Sequence, residues 1–199
     1  MKPESVAYAV AGMCFGVILG WVLATQEASR APVSLPAQAP AAAPTSQRQP
    51  PALDQSRVDA LRAAIEKDPQ NPSNYTQLGN AYFDAEQWAN AIESYERSLK
   101  LNPNDADVST DLGVSYYYTN RTEDALAQFE QSLKVNPNHT KTLLNKGIVL
   151  AFGKEDLRAA ADQWKRVVEL APDSPEGQAA RRALEGVAAA HAGQNSTNQ

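Results

Sequence analysis

The strongest constraint on what this chain can fold into is an internal repeat of about 34 residues. Gly79, Ala91 and Pro103 recur as Gly113, Ala125 and Pro137, then as Gly147, Ala160 and Pro172; the third copy carries one extra residue between its Gly and its Ala. Large residues keep step: Leu78 with Leu112, Tyr82 with Tyr116 and Leu150, Tyr95 with Phe129 and Trp164. Within each copy, two stretches of helical apolar spacing flank a short polar turn. Tyr75, Leu78 and Tyr82 share one helix face, and Ile92, Tyr95 and Leu99 share a face of the next helix. Gly79 and Ala91 lack bulk, which would let the two helices approach closely. Pro103 cannot continue a helix and disfavours helical geometry at Asn102. One such pair cannot cover its own apolar face; neighbours stacked in series do so.

Over roughly Pro72–Ser174 this pattern resembles the tetratricopeptide repeat (TPR) family. The resemblance implies an all-α fold, a right-handed α-solenoid of about three TPR helix pairs with flanking capping helices. The domain is expected over 54–192: a half-repeat helix at 54–69, repeats at 72–105, 106–139 and 140–174, and a capping helix at 175–190. The helix pairs fall at about 72–85 with 88–101, 106–119 with 122–135, and 140–152 with 156–170. DQSRVDALRAAIEKDPQ reads as the second helix of a repeat whose first is missing. In the last helix Arg181, Arg182 and Glu185 stand where a fourth unit would place apolar residues and its glycine, which suits a solvated cap. The tail, 193–199, is expected to be disordered. The third unit departs from the pattern: Lys146 replaces the leucine seen at Leu78 and Leu112, and Val167 stands where Ser98 and Ser132 stand. Its inserted residue, within Phe152–Leu157, is expected to lengthen the inter-helix turn.

Ahead of the repeats, Val6–Ala24 (VAYAVAGMCFGVILGWVLA) carries no charge. As a helix it would span about 28 Å, near the ~30 Å of a bilayer's hydrocarbon core. Tyr8 and Trp21 lie near its ends, where amphipathic rings favour the headgroup zone. Residues 1–25 therefore read as a single transmembrane anchor. The rival reading is a cleaved secretory leader; a thin n-region with only Lys2, the presence of Glu4 and the length of the apolar run argue for retention. Gly12, Gly16, Gly20 and Ala24 recur every fourth residue, a smooth ribbon suited to contact with another membrane helix. Lys2 and the amino terminus favour a cytoplasmic tail, which places the repeats outside, in the periplasm of a bacterium with its inner membrane as the anchor site. Residues 26–53 are rich in Ala, Pro, Gln and Ser, with prolines at 32, 36, 40, 44, 50 and 51, and read as a disordered linker.

The charge of −5 and the absence of a basic block exclude nucleic acid as a partner. Cys14, the sole cysteine, cannot form an intramolecular disulfide. Of the two histidines, His139 sits between units and His191 near the tail, and no Cys/His metal spacing exists. Gly-rich phosphate loops, HExxH and GxSxG are all absent. Pairs such as Glu123-Asp124 and Glu155-Asp156 fall at helix starts, where the macrodipole accounts for them. No catalytic, metal or cofactor residue is assigned; the chain reads as a binding protein and not an enzyme.

The family binds partner segments on a concave face lined mainly by first helices. Carried over position by position, the resemblance gives Thr76, Asn80 and Phe83; Thr110, Asp111, Val114, Tyr117 and Tyr118; and Lys141, Leu144, Asn145 and Ile148. Such a surface suits an extended peptide or an amphipathic helix of a protein partner. Chaperone-binding members clamp a C-terminal carboxylate with Lys/Arg and Asn. Here Thr76 holds the first basic position and Asp111 an Asn position, and Lys141 with Asn145 alone do not rebuild the clamp. Trp88, in the turn, reads as inter-helix packing and Tyr116 as core. The expected function is a membrane-tethered scaffold or adaptor, in a role such as assembly of an envelope or respiratory complex. The alternatives are a self-associating structural membrane protein (a homo-oligomer) and, if the N-terminal segment is cleaved, a secreted peptide-binding protein.

Overall fold

The computed structural model describes residues 50–196. The candidate anchor, its glycine ribbon and all but the end of the linker lie outside the described residues. Among the described residues, no helix is long and apolar enough to cross a membrane.

Eight helices follow one another: α1 (Gln55–Lys67), α2 (Pro72–Asp84), α3 (Trp88–Leu101), α4 (Ala106–Tyr118), α5 (Thr122–Val135), α6 (Thr140–Gly153), α7 (Leu157–Leu170) and α8 (Pro175–Ser196). The result is an all-α solenoid of TPR type. Helix starts are set by local chemistry. Asn71 accepts from the Ser73 amide (3.0 Å) with Pro72 in the first turn, and Asp105 and Asp156 accept from the amides of Val108 (3.0 Å) and Ala159 (2.9 Å). Each hairpin turn holds a non-glycine residue in the left-handed region: Glu86 at φ 57°, Asn120 at 60° and Glu155 at 56°.

Two expectations are corrected. The extra residue of the third unit does not lengthen the turn, which is three residues in every unit (85–87, 119–121, 154–156). Helix α6 absorbs it, running 14 residues where α2 and α4 run 13. The amide of Asp156 still closes on the carbonyl of Leu150 (2.9 Å), as Gln87 does on Tyr82 (2.8 Å) and Arg121 on Tyr116 (2.9 Å). The turn geometry is thus the conserved unit, and the helix adapts to it. At the other end, α8 does not stop near Ala190 but continues through Ser196, into the expected disordered tail; residues 197–199 lie outside the described residues.

Each hairpin closes on its glycine. A Cβ on Gly79 would lie 2.5 Å from the Tyr95 ring, one on Gly113 would lie 2.5 Å from Phe129, and one on Gly147 would collide with Trp164. The first helix is therefore notched to take the aromatic knob of the second, which is buried in every unit. Ala91, Ala125 and Ala160, fully buried, flank the same contact one turn earlier.

Two apolar cores result. One joins α1 to α5 with Val149, and includes Val58, Leu78, Tyr95, Leu112 and Phe129; the other joins α6 to α8 around Leu143, Trp164, Val167 and Ala180. Where α4 and α5 meet α6, hydroxyls take over. Thr110 Oγ1 lies 2.6 Å from Thr142 Oγ1 and 3.1 Å from Ser132 Oγ, and donates to the Ala106 carbonyl (2.7 Å). His139 Nδ1 joins through Thr142 (2.6 Å). The third unit has Leu144 and Val167 where this pair would recur, and its junction is apolar. Among the described residues no buried side-chain polar atom lacks a partner.

Candidate functional site

Helix α4 packs on α6, and α6 on α8, whereas α2 makes its main contacts with α1 and α3. The space left between α2 and α4, roofed by the start of α6, is a cleft of about 440 Å³. Asn80, Phe83 and Asp84 line it from α2, Asp111 and Val114 from α4, Lys141 and Asn145 from α6; Arg57 of α1 closes one end and Tyr95 of α3 forms the floor.

The floor is fixed by one hydrogen bond, Tyr95 Oη donating to Asn80 Oδ1 at 2.8 Å. Burial pushes the Tyr95 phenol far above its ordinary value, with Asp111 and then Asp84 adding to the rise, so it stays protonated and remains a donor. Lys141 Nζ reaches Asp111 Oδ1 at 2.7 Å. Burial raises the Asp111 carboxyl above the usual aspartate range; Lys141 pulls part of the rise back, while Asp107 and Asp105 add to it. At the opposite end Arg57 and Asp84 are 3.8 Å apart and both exposed, a loose pair. Asn145 Nδ2 donates to the Lys141 carbonyl at 2.8 Å, which fixes the orientation of its amide.

Six of the residues expected from the sequence meet here: Asn80, Phe83, Asp111, Val114, Lys141 and Asn145. Thr76 does not, its hydroxyl lying 2.7 Å from Ser98 Oγ. Thr110 is a correction: it is fully buried and saturated within the hydroxyl cluster, because Thr142 of the next unit covers it. Leu144 and Ile148 pack on the α6–α8 core and do not line the cleft. Tyr117 is half-buried against the first core. Tyr118 is 51% exposed and stacks on Trp88, with ring centroids 4.3 Å apart and planes at 10°. Trp88 in turn meets Phe83 edge-on at 5.0 Å, so an aromatic row runs from the cleft wall to the end of α4. Gly12, Gly16, Gly20 and Ala24 lie outside the described residues.

Sequence reasoning missed Arg57, Asp84 and Tyr95, and also Phe152, which is 59% exposed. Asp84 and Phe152 carried a usable signal, since both lie 34 residues from Tyr118. Among the described residues no group of three metal-ligating side chains comes together.

Comparison with known proteins agrees with this architecture. Residues 79–119 match the family described as TPR repeat, and residues 110–175 match the family described as tetratricopeptide repeat. Neither is a family of enzymes. No curated protein sequence matches the chain. Among solved structures, MamA superposes with a TM-score of 0.56 at 15% identity, over 70% of this chain and 89% of that one. YrrB, described as a TPR protein with an unusual peptide-binding site, gives 0.56 at 23% identity over 63% and 64%. The first TPR of Spaghetti (RPAP3), bound to the HSP90 peptide SRMEEVD, gives 0.52 at 21% over 70% and 97%. At these identities the likeness is one of fold. Tetratricopeptide repeats are thus present in this chain.

Proposed function

We propose that this chain is a membrane-tethered scaffold whose repeat domain binds an extended segment of another protein in the cleft between α2, α4 and α6. The observation that carries the reading is the cleft itself. Three first helices converge side chains on about 440 Å³ of open space, among them Phe83 and the polar Asn80, Asp111, Lys141 and Asn145, over the Tyr95 floor. A groove built only for packing would have closed or filled with apolar residues. That YrrB and RPAP3 are described with a peptide site and a bound peptide supports the capacity of this fold to hold one.

The tether rests on the uncharged run Val6–Ala24, and the role in assembling an envelope or respiratory complex rests on the resemblance. With the short N-terminal tail in the cytoplasm, the repeats face the periplasm. Alkaline phosphatase fused after α8 is then active, and an inactive fusion places the repeats inside. Partner capture is tested by affinity purification of full-length protein from crosslinked membranes. Val114→Asp is expected to lose the heterologous partner that wild type retains; equal recovery moves the binding face elsewhere.

A further inference from the structure

The junction between the second and third units is made of different material from the junction before it. Two matching places on a first helix hold Val108 and Leu112 in the second unit, both buried in the core shared with the first unit. In the third unit the same places hold Thr142 and Lys146. Thr142 turns the contact into the hydroxyl cluster, its Oγ1 lying 2.6 Å from that of Thr110 and 2.7 Å from Ser132 Oγ. Lys146 pairs with Glu130 of α5, Lys141 with Asp111 of α4 at 2.7 Å, and Lys154, just past α6, with Glu123 at 2.8 Å. His139 Nε2 faces Asp107 Oδ1 at 3.4 Å. The first and second units instead meet through apolar side chains, with Tyr116 Oη donating to Glu96 at 2.7 Å, and among the described residues no ion pair joins them. The apolar cores divide at the same place. Helices α1–α5 share one and α6–α8 the other, and each reaches across by one side chain, Val149 of α6 and Leu133 of α5.

We propose that the repeat domain is hinged at this seam, with α6–α8 moving as one body against α1–α5. Parting two apolar faces exposes hydrocarbon to water, whereas hydroxyls and charged groups regain their hydrogen bonds from solvent. Glu130 and Glu123 are already more than half exposed, so their pairs with Lys146 and Lys154 hold weakly and are screened by salt. The seam is therefore where the stack parts at least cost, and the cost falls as ionic strength rises. The cleft straddles it. Asp111 and Val114 stand on one side, Lys141 and Asn145 on the other, and the Lys141–Asp111 pair ties roof to wall. Motion at the seam thus sets the width of the cleft while α2 and α4 stay together. The hinge stands on the packing alone; its bearing on a partner rests on the reading that the cleft takes a protein segment.

The test uses full-length Cys14→Ser protein in detergent micelles, with nitroxide pairs attached at exposed positions and their separations read by double electron–electron resonance. Glu93→Cys with Arg181→Cys spans the seam, and Glu93→Cys with Gln131→Cys lies wholly on one side of it. Raising salt from about 0.02 M to about 0.5 M cuts the screening length from roughly 20 Å to roughly 4 Å. The spanning pair should gain a second distance whose share grows several-fold with salt, while the one-sided pair keeps a single distance. Thr110→Val, Ser132→Ala and Thr142→Val together replace the hydroxyl cluster with apolar groups of like shape, and should shrink that share at both salts. A single unchanged distance across the seam overturns the proposal. Equal broadening of both pairs also overturns it, since the motion would then be spread along the whole stack. An undiminished second distance in the triple variant does the same; if that variant fails to fold, the two label pairs decide alone. None of these readings needs a partner, so the hinge and the protein-segment reading can fail separately.

Discussion

A methyl group on residue 113 has nowhere to go: it would lie 2.5 Å from Phe129 and 3.2 Å from the Ala125 carbonyl. Alanine gains about 1 kcal/mol over glycine in a helix interior, but overpacking a filled core costs roughly 1–3 kcal/mol. Gly113→Ala should therefore lower stability by about 1 kcal/mol, read as a lower urea midpoint at unchanged slope. A more stable variant would mean that the ring swings aside freely. Asp111 belongs to the same scale with the opposite sign. Its folded-state pKa is raised above 3.8 by burial, so its stabilising share is present at low pH and is lost as pH rises through the raised value. Asp111→Asn should thus melt higher than wild type at neutral pH, and the gap should close as pH falls toward 3.8. A gap that widens on acidification would mean that the Lys141 pair outweighs burial. A carboxylate retained against stability is what a binding group looks like.

At the scale of elements, α1 caps the stack. Val58 is buried, Leu61 and Ile65 lean on the first core, and Arg62 donates to Tyr82 Oη at 2.9 Å. Because a solenoid is held by neighbours, damage here should stay local. Val58→Asp should strip hydrogen-exchange protection from α1 and α2 while α6 and α7 keep theirs; uniform loss along the chain would make the domain one cooperative block. The helices were legible because Gly, Ala, aromatic and Pro recur in register: the glycines map onto the Tyr95, Phe129 and Trp164 knobs, and the prolines fall between helices. What was not legible depends on the neighbouring unit. Thr110 occupies a surface position by register, but Thr142 arrives from α6 to bury it. The extra residue near Gly153 looked like turn because turns tolerate insertions, yet three equivalent left-handed residues hold the turn and push the change into α6. Tyr95 was legible as core and not as the cleft floor, since it is almost fully buried and its place in the cleft depends on Asn80 of the facing helix.

For the whole molecule, repetition fixes the scaffold and departures from it make the cleft. Where the second unit supplies Val114, the first supplies Asn80; where the second supplies Tyr118, the first supplies Asp84. Of these, Asn80, Asp84 and Val114 line the cleft with Asp111, Lys141 and Asn145. A partner segment seated there would touch α2, α4 and α6 at once. The most direct measurement places a photo-crosslinking amino acid at Val114, inside the cleft, or at Gln131, exposed on α5. Irradiated in native membranes, the Val114 protein should crosslink to a heterologous protein and the Gln131 protein should not. Equal crosslinking from both, or crosslinking from Gln131 alone, would contradict the cleft as the binding face.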